Sequence, residues 1–297
     1  MARLPAPLQT RIEALAKAAL DASGAAIDFA APRGAPALFA ADSLSWRVMK
    51  NPVALVVGGV AAVILELAEP RVRTGVWEHT AFRGDPVRRI RRTGYATMAT
   101  VYAPAEAARA FIARVNAMHA HVSGVTPSGA PYHASDSELL NWVQATAAFG
   151  FSEAYARFAR PLSRLERDRF YAEGAAAAAL YGATGAPKNF AEMEALFATM
   201  RPKLERSEII FEFLAVMRTA RFLPSRRLQR LLVRAAVEII PGWTRDLLGL
   251  GRAFGLRFGE SALVGALAKA GEHIVLNEAP PARACMRLGL AGDYLYR

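Results

Sequence analysis

The amino-acid sequence predicts an all-α fold, a single multi-helix domain of roughly ten helices. Two observations favour this class. Helix-start signals recur along the chain, whereas strand signals, such as sustained alternation of apolar and polar residues or an Asn-Gly hairpin turn, are sparse. The 297 residues are enough to bury a sizeable core, and hydrophobic and charged contents of 53% and 21% are typical of a globular protein.

The first strong element is an apolar run over residues 53–65, which follows a proline at position 52. Proline suits the first turn of a helix, where no amide donor is needed. The run is shorter than the ~20 residues that a membrane-spanning helix requires, and Glu66 ends it. We therefore expect a buried core helix and no transmembrane segment.

Two further prolines mark the next helices. Pro86 begins a helix in the segment DPVRRIRRTGYATMATVY, and Pro104 begins one that we expect to run to Gly124. The stretch 124–137 is rich in proline, glycine and serine, so it is expected to be an irregular loop at the rim of a site.

Three later helices begin with capping boxes, in which a polar side chain and a Glu three residues later satisfy each other's backbone amides. The pairs are Ser135 with Glu138, Ser163 with Glu166, and Asn189 with Glu192. Beyond them, the segment HIVLNEAPP is expected to hold a few extended residues at most.

The net charge of +11 raises the question of a nucleic-acid partner. The basic residues are mostly arginine and are spread among Asp and Glu, whereas a nucleic-acid binder concentrates them and interleaves aromatic residues. We therefore expect no nucleic-acid partner, while anionic groups on a cofactor are compatible with the charge. The single cysteine, Cys285, excludes an internal disulfide and indicates a buried structural thiol and a reducing, cytoplasmic location.

Two histidines lie one residue apart, at positions 119 and 121. Each helical residue turns by ~100°, so their side chains diverge by ~200° and do not bind one metal together. His119 continues the apolar stripe of Ile112 and Val115, so we expect it to point inward, whereas His121 is expected to be solvated. An inward histidine is either a hydrogen-bonded core residue or a cofactor ligand, and the pattern leaves both open.

The helix that begins at Pro86 presents a face of small residues bordered by arginine. Arg89 and Thr93 are four residues apart, and Ala96 and Thr97 continue that side. Such a face suits the close approach of a flat or anionic group. Tight packing against another helix, with arginine at a solvated edge, is the alternative.

Several other kinds of site are excluded by their missing patterns. The sequence has no pair of Glu-x-x-His segments for a di-iron bundle, no His-Glu-x-x-His of a zinc protease and no Gly-x-Ser-x-Gly of a serine hydrolase. The segment GLGRAFG, at 249–255, lacks the spacing and the preceding strand of a dinucleotide-binding loop. An inward histidine, an arginine-threonine face and helical walls remain, and these are the ingredients of a haem pocket.

Longer segments of the sequence resemble a known family. NPVALVVGGVAAVILELAEPRV, GVWEHTAFRGDPVRRIRRTGYATMATVYAP, ARVNAMHAHVSG, YHASDSELLNWVQAT and SEIIFEFL are similar to segments of the helical family that includes latex-clearing protein, the rubber oxygenase, and the oxygenase of mycophenolic acid biosynthesis. The resemblance extends over residues 44–240. It implies an all-α core over that range around a central cofactor pocket, with C-terminal helices over 241–297 packed on it, in one domain over 1–297.

The resemblance also implies b-type haem with an axial histidine, and oxygen chemistry. The axial histidine corresponds to His119, and an Arg-x-x-Lys-Thr stretch of rubber oxygenase corresponds to residues 89–93, where Arg89 and Thr93 match. Arg92 stands in place of that lysine, so a distal lysine ligand is not carried over. Gln144 stands where many relatives have histidine.

These observations lead to the hypothesis of a haem b-dependent oxygenase or oxidoreductase. His119 would hold the iron, and Arg89 with Arg92 would bind a propionate or stabilise oxygen. Thr93 would donate a hydrogen bond. The substrate would be a small apolar organic molecule, with dioxygen or peroxide. The aromatic residues expected to wall the pocket are Trp77, Tyr95, Tyr132 and Trp142, of which Trp142 is expected to contact the cofactor.

Two hypotheses of other classes stay open at this point. One is a helical protein that binds a small molecule without redox chemistry. The other is a basic helical scaffold that binds nucleic acid, which would show steeply salt-dependent binding to duplex DNA. The sequence carries no information on the oligomeric state.

Overall fold

A computed structural model describes residues 27–80, 82 and 84–297. In that part of the chain the protein is all-α, as predicted, apart from one two-stranded hairpin. The helices are α1 Leu44–Met49, α2 Pro52–Glu66, α3 Pro70–His79, α4 Pro86–Tyr102, α5 Ala105–His119, α6 Ser137–Ala154, α7 Arg164–Leu180, α8 Phe190–Met200, α9 Glu208–Thr219, α10 Arg226–Ile239, α11 Gly242–Leu248, α12 Glu260–Gly271 and α13 Pro280–Arg287. A π-helical turn, Tyr155–Ala159, continues α6.

These thirteen helices exceed the roughly ten that ordinary helix lengths predict. The difference comes from short helices, since α1, α11 and α13 have only 6, 7 and 8 residues. A helix of that length is marginal by itself and depends on tertiary packing. Such helices are too short to show a long apolar period, so the sequence pattern does not predict them.

The helix α2 begins as predicted and is buried as predicted. Pro52 is its first residue, and the side chain of Asn51 accepts hydrogen bonds from the backbone amides of Val53 and Ala54 at 3.1 and 3.0 Å. Most of its apolar residues are buried. Among the described residues no single helix is long and apolar enough to cross a membrane, and α2 together with α3 reaches the required length only with a bend of 110°.

Of the three predicted capping boxes, one is complete, one is half formed and one is wrong. Ser163 and Glu166 form a complete capping box at α7. At α8, Asn189 accepts from the Glu192 amide at 2.9 Å, but the Glu192 carboxylate accepts from the backbone amide of Lys188 rather than from that of Asn189. At α6 the N-cap is Asp136, whose carboxylate accepts from the Glu138 amide at 2.8 Å, so Ser135 is not the cap. The Asp136 carboxylate suits this position because its negative charge also complements the positive end of the helix dipole.

The helix α5 ends earlier than predicted, at His119 rather than near Gly124. The expected irregular loop holds a hairpin of β1 Ser123–Val125 and β2 Pro131–His133, in which Gly124 faces Tyr132. A Cβ on Gly124 would lie 2.6 Å from the Tyr132 hydroxyl oxygen, so a side chain there would displace the Tyr132 ring. The backbone N–H and C=O groups of residues 123–125 pair with β2 and are therefore not available to extend α5. This pairing explains why α5 ends before Gly124.

The helices α2 and α6 cross at two glycines in the centre of the core. A Cβ on Gly58 would lie 2.7 Å from the Gly150 carbonyl oxygen, and a Cβ on Gly150 would lie 2.3 Å from the Gly58 carbonyl oxygen. Both distances are shorter than real side chains allow, so only glycine permits this crossing. The crossing fixes Glu66, two turns after Gly58, beside Thr146, one turn before Gly150.

A buried polar network holds the C-terminal helices to the core. The Lys50 ammonium contacts the Glu272 carboxylate at 3.2 Å, and burial lowers the pKa of Lys50. The Tyr155 hydroxyl and the Asn51 amide donate to the same carboxylate at 2.8 and 2.7 Å. Cys285 is a buried free thiol, as expected, and burial raises its pKa to about 11.

Candidate functional site

The candidate site begins with His119, the last residue of α5. Its side chain is partly buried, and its Nδ1 is buried without a hydrogen-bond partner among the described residues. Burial lowers the pKa of His119, and the charge of Arg89 lowers it further. The imidazole is therefore held neutral, with one nitrogen unsatisfied. A core histidine whose nitrogen bonds to an ordered water and a cofactor ligand both agree with this arrangement.

His121 is exposed, as predicted. The reason differs from the predicted one, because α5 ends at His119 and His121 lies in the turn beyond the helix. The ~100° rotation per helical residue therefore does not determine where the His121 side chain points. The two environments differ nevertheless, because His119 is partly buried and His121 is exposed to solvent.

Arg89 lies in the first turns of α4 and faces the same region as His119. Its Nη1 donates to the Thr93 hydroxyl oxygen at 2.8 Å, and that hydroxyl donates to the Arg89 carbonyl oxygen at 3.0 Å. Its Nε is buried without a partner in the described chain. Burial lowers the pKa of Arg89, the charge of Glu66 raises it, and the charge of Arg92 lowers it. The bond to Thr93 thus holds the guanidinium in place, while its Nε–H group has no acceptor in the described chain.

Glu66, the last residue of α2, is the third member of the cluster. Burial raises the pKa of its carboxyl to about 7, against smaller opposing effects of Arg89 and Thr146. No ion pair within 4.0 Å joins Glu66 to Arg89 in the part of the chain that the structure describes. Both side chains nevertheless keep some accessible surface. The two groups therefore attract each other without direct contact, in a region where burial disfavours charge.

Glu66 has no histidine at the spacing of a di-iron ligand, so the sequence pattern predicts no metal site there. Its position carries a weak signal all the same. A lone carboxylate ends an apolar run that is buried along its length, so the end of the helix and its charge lie inside the protein. Buried carboxylates with shifted pKa values are enriched at functional sites.

The α4 face next to Arg89 is open. Arg92, Thr93 and Gly94 are exposed, and a Cβ on Gly94 would meet no atom within 4 Å. Among the described residues, no helix packs on Thr93 and Gly94, whereas Ala96 and Thr97, further along the same face, are half-buried. Of the predicted arginine pair, Arg89 faces inward, while Arg92 acts on it from the surface through its charge.

Trp142 lies on α6, one turn before Thr146, and its side chain is completely buried. Its ring contacts Phe197 at 4.9 Å between centroids, and its indole Nε1 is buried without a partner among the described residues. No hydrogen bond or ring contact joins Trp142 to His119 in the described chain. The structure thus brings together His119, Arg89, Thr93 and Glu66, with Trp142 on the Thr146 side.

The other predicted wall residues serve packing and local hydrogen bonds. The Tyr95 hydroxyl accepts from the Ile27 amide at 3.1 Å, and the Tyr132 hydroxyl lies 3.1 Å from His79 Nε2. The Trp77 ring packs on Phe82 at 5.8 Å. Each of the three side chains therefore has at least one contact within the protein.

An apolar groove lies between α6, α8 and α11. It has a cavity volume of about 480 Å³ and is lined by Phe149, Phe190, Met193, Phe197 and Trp243, among others. A second groove of about 590 Å³ shares Ala198, Arg201 and Trp243 with it and opens to the surface. Neither is lined by His119 or Arg89. The link is Phe149, which shares one face of α6 with Trp142 and Thr146.

The described residues hold no group of three His, Cys, Asp or Glu side chains that could bind a bare metal ion. A haem brings four nitrogen ligands of its own and needs one from the protein. The unsatisfied His119 nitrogen and Arg89 Nε, beside an open face of small residues, fit such a group.

Comparison with known protein families shows which family the chain belongs to. The family described as ER-bound oxygenase mpaB/B'/Rubber oxygenase, catalytic domain, matches residues 46–268. No curated protein and no solved structure matches the chain.

Proposed function

Because this chain belongs to the mpaB/rubber oxygenase family and carries its catalytic domain, we propose that it is a haem b-dependent oxygenase acting on a small apolar organic substrate. The general oxygenase role follows from the family. The cofactor, its ligand and the substrate class rest on the geometry of the site.

The observation that carries the proposal is the buried, unpartnered Nδ1 of His119. A buried polar atom without a protein partner calls for a water or a ligand, and among the described residues His119 Nδ1 shares this condition with Arg89 Nε in the same cluster. Neutral imidazole is the usual protein ligand of haem iron, and the environment of His119 keeps the ring neutral. When bound, haem b supplies the iron that activates dioxygen or peroxide.

Arg89 is suited to hold a propionate of the cofactor. Arginine binds carboxylates through two parallel N–H groups, and the bond from Arg89 to Thr93 leaves its Nε free of protein partners in the described chain. The exposed Thr93 and Gly94 leave room for a flat ring along α4. Arg92 adds positive charge at the surface end of the same face.

Glu66 is suited to hold or release a proton. A carboxyl with a pKa of about 7 exists in both forms at neutral pH, as general acid-base catalysis requires. The Arg89 charge favours the ionised form, and burial favours the neutral form. We assign Glu66 the proton-holding role on the inner side of the site.

The apolar substrate class is supported by the groove between α6, α8 and α11. Its Phe149, Phe197 and Trp243 walls offer surface for burying an apolar molecule. The groove and the site share the helix α6, which carries Phe149 in the groove and Thr146 beside Glu66.

The test is the absorption spectrum of protein purified from cells supplied with a haem precursor. A Soret band is expected in the wild-type protein and in His121→Ala, and its loss is expected in His119→Ala at unchanged helical content. A His119→Ala variant that keeps the full band would assign the iron to another ligand. A colourless wild-type protein that binds apolar ligands would support the non-redox hypothesis instead.

A further inference from the structure

We propose that the first half of α10 and the loop before α12 form a docking surface for the anionic face of a phospholipid bilayer. We call this surface the basic face and define it by Arg226, Arg227, Arg230, Arg257 and Phe258. The proposal does not rest on the haem site, and none of these residues belongs to it.

The α10 part of the basic face is a cluster of arginines without acidic neighbours in sequence. Residues 218–234 contain six arginines and no Asp or Glu. Arg226, Arg227 and Arg230 fall within an arc of ~100° on the helix and are exposed. In the part of the chain that the structure describes, none of the three has a side-chain hydrogen bond or an ion pair. Their charge is therefore available to a partner.

The loop is tied to this helix by Glu260. Arg234, one turn after Arg230, donates through Nε to Glu260 Oε2 at 2.8 Å, and the Arg257 amide donates to the same oxygen at 2.9 Å. These two bonds fix Arg257 close to the arginine cluster. Phe258 follows, and its side chain is as exposed as in an extended peptide, at 107%.

Phe258 distinguishes a bilayer from other anionic partners. Burial of a fully exposed phenylalanine by a partner is favourable, and only a partner with an apolar interior can cover it. Leu263, in the first turn of α12, is a second exposed apolar side chain near the loop, at 52%. Apolar side chains that project from a basic surface are typical of proteins bound at the membrane interface, where the arginines bind lipid phosphates and the apolar side chains enter the acyl boundary. A duplex nucleic acid would use the arginines alone.

The experiment is co-sedimentation of the full chain with phosphatidylcholine vesicles, with and without phosphatidylglycerol. We expect binding to the anionic vesicles, weakened by salt. The double variant Arg226→Glu/Arg230→Glu should lose at least ~10-fold in the partition coefficient. Phe258→Ser should lose several-fold at every salt concentration, because it removes the apolar part alone.

The matched controls change the same charge and the same exposed apolar area elsewhere. Arg88→Glu/Arg109→Glu alters two exposed arginines on α4 and α5, and Leu165→Ser alters a side chain that is 79% exposed on α7. Both should bind like the wild type. Equal losses in the control and test variants would overturn the proposal, since net charge alone would then decide. Equal binding to neutral and anionic vesicles would also overturn it, as would tighter binding to duplex DNA that Phe258→Ser leaves unchanged.

Discussion

Gly58 and Gly150 bring α2 and α6 closer together than helices with side chains at those positions can come. This backbone contact positions the end of α2, and with it Glu66, against Thr146 on α6. The distance between two glycines in the core thus sets the position of a carboxyl in the candidate site, two helical turns away.

Replacement of Gly58 by alanine should destabilise the protein. The new Cβ would meet the Gly150 carbonyl at 2.7 Å, and a backbone atom does not move aside as a flexible side chain does. We expect a loss of about 2–3 kcal/mol in the free energy of unfolding, as for other overpacked cores. Gly59→Ala is the matched control, because its Cβ would contact Phe151 at an ordinary 3.9 Å and alanine favours the helix by about 0.5–1 kcal/mol. Urea unfolding of both variants measures the difference, and equal stability would contradict the close crossing.

Glu66 should make the stability of the cofactor-free protein fall as pH rises from about 4.5 to about 7. Its pKa is raised in the folded state, so the folded protein binds the proton more tightly than the unfolded chain does. Ionisation in that window therefore costs stability, by about 3 kcal/mol at most at ~1.4 kcal/mol per pKa unit. Glu66→Gln should match the wild type near pH 4 and exceed it at pH 8. Glu212→Gln changes an exposed side chain and keeps Glu66, so its pH profile should parallel that of the wild type. A Glu66→Gln profile that also runs parallel to the wild type would refute the assignment.

The fold was predictable from particular residues, whereas the inner half of the site was not. Pro52, Ser163 and Asn189 act locally, on amides within four residues, so their effect is readable in the sequence. The end of α5 was mispredicted because it depends on the pairing of residues 123–125 with 131–133, which carries no Asn-Gly signal. Glu66 was missed because its importance comes from Arg89 and Thr146, which two other helices bring beside it.

Arg89→Lys should weaken retention of haem. Lysine keeps the charge but loses the planar pair of donors that matches a carboxylate, and it does not reproduce the bond from Nη1 to Thr93. Loss of a charge-assisted hydrogen bond corresponds to a dissociation constant about 10-fold higher or more. Haem titration of cofactor-free protein, followed at the Soret band, gives that constant. Arg88→Lys, exposed on the same helix, should leave it unchanged, and the same value for both variants would remove Arg89 from the cofactor site.

Glu272→Ala should destabilise the protein far more than its exposed counterpart Glu278→Ala. Glu272 accepts from Lys50, Asn51 and Tyr155, and its removal leaves the Lys50 ammonium, whose side chain is only 2% exposed, without its carboxylate. Loss of one partner of a buried ion pair costs about 3–5 kcal/mol. The ion pair of Glu278 with Arg283 lies at the surface, where such a pair contributes about 0–1 kcal/mol. Denaturant unfolding at neutral pH compares the two variants.

A double variant, Lys50→Met/Glu272→Ala, should recover part of the loss, because it no longer buries an unpaired charge. Failure of that recovery would show that the hydrogen bonds of Asn51 and Tyr155, rather than the charge of Lys50, hold the C-terminal helices.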